Sequence, residues 1–346
     1  MEIEVRPVGD PQLLAVTIAN RDRAQQWCRE DAPDRLLAAI TRQRLDDEVC
    51  LPRLHGGAVA NEHGAVVVLG ESGAGKSTLI AHLAGSGFEL VNDEQLTIYR
   101  DHGVVAGFTR PVAIKPGGAP FLPPGLEVDL ASTAVQLLSA VDLGTRHRLT
   151  ARPALVVLPD RTETRSTSDS GFECEVLGPA QAVEALIANS LDIANRPVAA
   201  LEAFAWLASE VPVVRLRCHN SAVGAQAVRS LLEDLPLADD MAWAVHRPES
   251  SDYGPQALRC PGELTVSEDT RWVEIGEDVV VYHQETRSVT TLNRPGAALW
   301  RALPGSRVQL GIEASPEIRE FVAELIENRL IEDKKSRSDQ PNGGKA

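Results

Sequence analysis

The chain alternates short β-branched runs with helical stripes. Ala65-Val66-Val67-Val68-Leu69 is an uninterrupted apolar run, the mark of a strand buried on both faces. It forms a predicted β-hairpin with His55–Ala60 around Asn61-Glu62-His63-Gly64. Ser77–Ala84 reads as a helix stopped by Gly85-Ser86-Gly87, and Phe88–Val91 as a strand ending at Asn92-Asp93-Glu94. Gln95–Tyr99 and Val104–Ala106 surround Asp101-His102-Gly103 as a second hairpin. Further on, Ala154–Leu158 and Val213–Leu216 read as strands. Ala180–Ser190, Val198–Leu207 and a segment through Ala227, Leu231 and Leu232 read as helices. The alternation predicts an α/β domain over residues 51–235. Residues 1–50, with a stripe at Leu36, Leu37 and Ile40, predict a strand or two followed by helices, packed on it as an extension.

Two stretches break the pattern. Lys115–Asp129 carries Pro116, Gly117, Gly118, Pro120, Pro123, Pro124 and Gly125, which forbid regular structure. It is either a lid or acceptor loop, or a rigid surface connection. Residues 236–264, with Pro236, Pro248, Pro255 and Pro261, read as a linker. Beyond it, Arg271–Ile275, Val279–His283 and Ser288–Leu292 form a predicted meander, followed by a helix capped by Asn293 with Pro295 at its first position. Ile318, Phe321, Val322, Leu325 and Ile326 make one apolar helical stripe. A small α+β domain is therefore expected over 265–333, and a disordered tail over 334–346.

Composition narrows the partners. The formal net charge is −15, and like charge disfavours nucleic acid and anionic membrane surfaces. Five scattered cysteines (Cys28, Cys50, Cys174, Cys218, Cys260) with no C-x-x-C pair predict buried thiols in a reducing cytoplasm. The start of the chain lacks a signal-peptide core, and no apolar run reaches the ~18 residues of a membrane span.

The chemistry concentrates between the first predicted strand and helix. Gly70-Glu71-Ser72-Gly73-Ala74-Gly75-Lys76-Ser77 fits G-x-x-x-x-G-K-[ST]. Such a loop turns successive backbone N–H groups around an anion, and the following helix adds roughly half a positive charge at its start. The pattern predicts a nucleoside triphosphate held by Gly70, Ser72, Gly73, Ala74, Gly75, Lys76, Ser77 and Thr78, with Lys76 on the β/γ-phosphates and Ser77 on Mg²⁺. Asp93-Glu94 ends the next strand, where a carboxylate takes a proton from an acceptor hydroxyl or helps hold the metal. Asp160 follows an apolar strand and reads as a turn residue. With no transporter-type signature such as L-S-G-G-Q, phosphoryl transfer is favoured over ATP-driven movement.

His55-Gly56, the Gly70–Ser77 loop, Leu90-Val91-Asn92-Asp93-Glu94 and Arg110-Pro111-Val112-Ala113-Ile114-Lys115 together resemble the HPr kinase/phosphorylase superfamily, over residues 50–235. The nearest resemblance is to its HPr-kinase-related branch, with Asp-Glu in place of Asp-Asp. It implies a phosphoenolpyruvate-carboxykinase-like α/β P-loop fold with a mixed sheet, Mg²⁺-ATP, and transfer to a serine hydroxyl. Asp93 matches the family's catalytic base, Glu94 a second acid near the metal, and His55 a histidine close to the catalytic acid. Arg110 and Lys115 match positions that touch phosphate or acceptor, with surface salt-bridging as the other reading. The E-[IV]-R-G-[LIV]-G run of the founding enzymes is absent, which speaks against their carrier protein and their reverse reaction.

Val279-Val280-Val281-Tyr282 with Thr290–Trp300 is similar to the PqqD family over residues 265–333, with an eroded middle helix at Pro304-Gly305 and Gly311. That resemblance implies recognition of a leader peptide by strand addition. The combined expectation is a cytoplasmic peptide kinase of ribosomal-peptide biosynthesis, and a homo-oligomer is possible. A kinase of a free amino acid or small hydroxyl compound, or a non-catalytic ATP-binding peptide chaperone, stays open.

Overall fold

The computed structural model describes residues 3–18, 25–29, 32–47, 51–161, 171–234, 264–303 and 315–333. The expected linker up to residue 263, the eroded helix at 304–314, the tail from 334, Cys50 and Cys260 lie outside the described residues.

The first elements are an antiparallel meander of β1 (Ile3–Pro7), β2 (Leu13–Ile18) and β3 (Gln25–Cys28), then helix α1 (Ala32–Asp47). Val16, Trp27 and Ala32 bury one another in a small core with Leu14, Leu36 and Ala39 against it. Among the described residues, three strands and one helix thus stand where the pattern predicts fewer strands and more helices. The strands are short and exposed enough to leave little periodicity.

The main sheet begins with the hairpin of β4 (Arg53–Asn61) and β5 (Gly64–Leu69), in register Gly56↔Leu69 to Asn61↔Gly64. All six residues of β5 are buried. Helix α2 (Lys76–Ala84) leads to β6 (Glu89–Asn92), β7 (Gln95–Tyr99) and β8 (Val104–Ala106). Next come β9 (Val112–Ile114), a 3-10 turn at Pro116–Phe121, β10 (Gln136–Leu138), β11 (Thr150–Ala151), β12 (Pro153–Arg161) and β13 (Phe172–Val176). The turn occupies part of the stretch from Lys115 in which the sequence predicts no regular structure, and Pro116 favours it by fixing its first φ. After the helices α3 (Pro179–Ala188) and α4 (Pro197–Glu210) the sheet resumes with β14 (Val213–Cys218) and helix α5 (Ser221–Glu233). The nine strands run β11-β8-β7-β4-β5-β12-β14-β13, with β6 also on β4. β5, β12 and β14 are parallel, and the remainder antiparallel, a mixed α/β sheet.

Two expectations need correction here. Asp160 lies inside β12, paired with Arg217 of the neighbouring strand at 3.0 Å, because Pro159 is tolerated there without ending the strand. Cys174 is exposed rather than buried, since it sits on the edge strand β13.

The chain divides into two compact units, Met1–Val176 with Val211–Trp243, and Leu177–Glu210 with Ala244–Ala346. The second unit therefore takes in α3 and α4, which sequence order groups with residues 51–235. It contains β15 (Leu264–Val266), β16 (Thr270–Ile275), β17 (Asp278–His283), β18 (Ser288–Leu292), α6 (Arg294–Arg301), α7 (Pro316–Glu327) and β19 (Ile331–Asp333). β16-β17-β18 is an antiparallel meander, and β15 pairs with β19. Val279 and Val281 face a core with Leu292, Trp300, Val322 and Leu325. Val280 and Tyr282 alternate to the other face and are just as buried, which is what α3 and α4 packing on this sheet accounts for. Asn293 caps α6 by accepting from the Gly296 N–H, and Pro295 is its second rather than first residue.

Candidate functional site

The turn from β5 into α2 is built by glycines at positive φ: Gly70 at 141°, Gly73 at 94° and Gly75 at 91°. An L side chain rarely adopts these angles, and they direct the intervening N–H groups into one concavity. Gly75 caps α2 with no side-chain hydrogen bond, so the donors of the first turn are left to an incoming anion. Lys76 is buried, and its Nζ donates to the carbonyls of Gly70 at 2.7 Å and Glu71 at 3.0 Å, folding it back over the loop. Burial lowers its pKa, with the charge of Lys115 adding and Asp93 and Glu94 opposing. Thr78 turns inward: its hydroxyl donates to the Gly75 carbonyl at 2.8 Å and accepts from Ser221 of α5 at 3.0 Å.

Asp93 stands at the far end of β6, which pairs with β4 rather than with β5. Its carboxylate nevertheless meets the loop, because Ser77 Oγ donates to it at 3.1 and 3.3 Å. The Ala113 N–H of β9 donates at 3.0 Å from the other side. Asp93 is only 2% exposed. Burial pushes its pKa up to about 6; Glu94 pushes the same way, while the Ala113 N–H, the Ser77 hydroxyl and Arg110 push against it. Such a carboxyl is half ionised near pH 6 and mostly ionised at neutrality, the state in which it can accept a proton.

Around this pair the other sequence-predicted residues divide. Glu94 holds φ at 91°, a left-handed conformation that costs a non-glycine residue of order 1–3 kcal/mol. The turn breaks β6 from β7, and the Glu94 carbonyl accepts from the Gly56 N–H at 3.0 Å. His55 lies near enough to Lys76, Glu94 and Lys115 for their charges to act on it, and burial with Lys76 lowers its pKa. Lys115 reaches the loop itself, donating to Ser72 Oγ at 2.6 Å. Arg110 is buried and sits 3.7 Å from Asp34 of α1, while its charge still bears on Asp93. The structure thus brings Ser72, Lys76, Ser77, Asp93 and Lys115 together directly, His55 and Glu94 beside them, and sets Arg110 behind Asp93.

Four supports have no role assigned to them by the sequence. Asn92 is fully buried, accepts the Asp93 N–H at 2.8 Å on its side-chain oxygen, and donates to the Gln95 carbonyl. Gly57 lies where a Cβ would stand 2.9 Å from the Asn92 carbonyl and 3.2 Å from Asp93 Oδ1. Ala113 and Ser221 contribute the backbone and hydroxyl donors already described. Asn92, beside the predicted acid, carries a signal; Gly57, Ala113 and Ser221 carry none, being defined by neighbours distant in sequence.

The oxygen donors Ser77, Asp93 and Glu94 suit a hard cation such as Mg²⁺. Among the described residues no group of three or more His, Cys, Asp and Glu side chains is arranged to enclose a metal. A cation here would draw the rest of its shell from phosphate oxygens and water, the usual habit of Mg²⁺.

The chain matches no family model and no curated protein. Among solved structures it is similar to the Hpr(Ser) kinase/phosphatase from Coxiella burnetii, over 53% of this chain and 98% of that one, at 12% identity and a TM-score of 0.30. Among the described residues no helix is long and apolar enough to cross a membrane.

Proposed function

We propose that this protein is a kinase that moves the terminal phosphoryl group of Mg²⁺-ATP to a hydroxyl, the acceptor being a serine of a ribosomally made precursor peptide. The carrying observation is the Ser77–Asp93 hydrogen bond, which joins a buried carboxylate to the anion-binding loop. A glycine-rich phosphate loop alone serves many purposes. One with a buried proton acceptor at its mouth, of pKa about 6, suits transfer to an alcohol.

In this reading the loop N–H groups and Lys76 hold the phosphates and offset charge as it develops. Ser77 and Glu94 would hold Mg²⁺, which would supply positive charge to offset that of the phosphates. Asp93 takes the hydroxyl proton as the acceptor oxygen bonds to the γ-phosphorus, the bond to the bridging oxygen breaks, and ADP leaves. Lys115, held at the loop through Ser72, adds a second cation on the phosphate side.

The peptide assignment draws on the C-terminal unit. Among the described residues β16 and β18 each pair on one side only, leaving two edges to which an extended leader can add as a strand. Holding the leader raises the effective concentration of the core serine. The test is incubation of the full chain with Mg²⁺-ATP and a serine-containing ribosomal precursor peptide, with and without its leader. The proposal predicts a mass gain of one phosphate that is faster with the leader attached. An unchanged mass in the presence of demonstrated ATP binding contradicts it.

A further inference from the structure

A cavity of about 670 Å³ lies on the outer part of the main sheet, and nothing above assigns it a role. Strand register places it. His55 pairs with Gln95, and cross-strand partners project from the same face. Alternation then carries that face along β7 to Thr97 and Tyr99, across to their partners Ala106 and Val104, and on to Thr150. These residues line the cavity, so it continues the face that holds His55 beside Lys76. Its floor is pressed against the strand end bearing Asp93: a Cβ at Gly107 would come within 2.4 Å of the Asn92 Cβ.

The lining states what fits. It includes no Asp, Glu, Lys or Arg, and the imidazole of His102 is its one basic group. Phe108 and Leu149 give it apolar surface, and the hydroxyls of Thr97, Thr109 and Thr150 are polar points. Gln95 Oε1 is buried with no hydrogen-bond partner among the described residues, an acceptor that lacks a donor. The volume falls within the roughly 300–1,000 Å³ of small-ligand sites.

We infer that this cavity is the acceptor cleft, and that it takes an uncharged peptide segment flanking the acceptor hydroxyl. A backbone N–H would satisfy Gln95, and an apolar side chain would cover Phe108 and Leu149. A charged flank would lose its hydration there without gaining a counter-charge. The inference rests on the kinase reading and narrows its substrate.

The experiment uses the full chain, Mg²⁺-ATP, and three tripeptides acetylated and amidated at their ends: Leu-Ser-Leu, Glu-Ser-Glu and Lys-Ser-Lys. Nucleotide affinity is titrated separately with a non-hydrolysable ATP analogue. The expected result is a kcat/KM for Leu-Ser-Leu at least about tenfold above both charged peptides. Gln95→Leu should raise KM for Leu-Ser-Leu by about tenfold, as a lost hydrogen bond does. Leu149→Asp, at a position 60% exposed and so tolerant of change, should move the preference toward Lys-Ser-Lys. Both variants should keep the native affinity for the analogue. Equal rates for the three peptides, transfer to none of them, or a preference that survives both substitutions overturns the acceptor cleft while leaving nucleotide binding intact. Failure of the native chain to bind the analogue overturns the kinase reading and this one with it.

Discussion

Ser77 Oγ donates to the carboxylate of Asp93 at 3.1 and 3.3 Å, across sixteen residues of chain and past one intervening strand, β4. One partner lies in the first turn of the helix behind the phosphate loop, and the other directly follows a strand that pairs with β4. Their meeting places a buried carboxylate at the mouth of the anion cradle, where the proposed kinase would take the proton from its alcohol.

Asp93→Asn removes the proton acceptor and keeps the shape. Affinity for Mg²⁺-ATP should stay within a few-fold, while transfer falls by about 10²–10⁴, the usual contribution of a positioned base. Nucleotide titration beside a transfer assay checks it. Transfer at the native rate would mean that another group accepts the proton.

Lys76→Ala should act on binding instead. The ammonium now rests on the Gly70 and Glu71 carbonyls and is free to turn to phosphate. We expect nucleotide affinity to fall by at least about tenfold, the scale of one charge-assisted hydrogen bond. Loss of its two hydrogen bonds to the loop carbonyls should lower the thermal midpoint without nucleotide by only a few degrees, so that the variant still folds.

The pH dependence has a definite sign. Asp93 is raised from 3.8 to about 6 by burial, so kcat/KM should climb as pH rises through about 6 and then level. Stability runs the other way. A carboxyl whose folded pKa exceeds its unfolded value stabilises the fold below the unfolded pKa, and that contribution is lost as pH rises from about 4 to 6. The loss is of order 3 kcal/mol. Denaturant titrations at pH 4.5 and 7.5 should show it in the native chain, after allowance for other groups, and show less of it in Asp93→Asn.

Gly57→Ala should disturb the site from beneath. Its new Cβ would lie 2.2 Å from Ile80 Cδ1 and 2.9 Å from the Asn92 carbonyl. Moving that carbonyl moves Asp93, so transfer should fall by at least about tenfold with a stability loss of about 1–3 kcal/mol. Activity and denaturant midpoint, measured on one preparation, check both.

Glu94→Gly should trade function for stability. Glycine accepts φ near 91° without strain, and relief should offset most of its added chain entropy or exceed it by up to about 1 kcal/mol. If Glu94 helps hold the cation, the apparent Mg²⁺ requirement rises, and a titration of Mg²⁺ against rate reads it.

Much of this site was legible before any fold was in view. The run Ala65–Leu69, the glycines after it and the helix from Lys76 depend on neighbours within a few residues, and so did the strand ending at Asp93-Glu94. What was not legible depends on long-range pairing. Nothing local says that β4 intervenes between β5 and β6, or that Ala113 turns its N–H toward Asp93. Helices α3 and α4 show why sequence order misleads about units. Their apolar faces, with Ala200, Leu201, Phe204 and Leu207 buried, are covered partly by a sheet that begins sixty residues later at Thr270. Gly57 reads as an ordinary strand glycine until Ile80 and Asn92 are placed around it.

The central claim is that a terminal phosphate lies within reach of Asp93 and passes to an alcohol. The most direct measurement is ³¹P NMR of Mg²⁺-ATP with the native chain and a serine-containing acceptor peptide, run beside Asp93→Asn. The account predicts loss of the γ-phosphate signal in step with the appearance of ADP and a phosphomonoester resonance, all absent in the variant although it binds ATP. Bound ATP that stays intact in the native sample, or a phosphomonoester formed equally by Asp93→Asn, would contradict it.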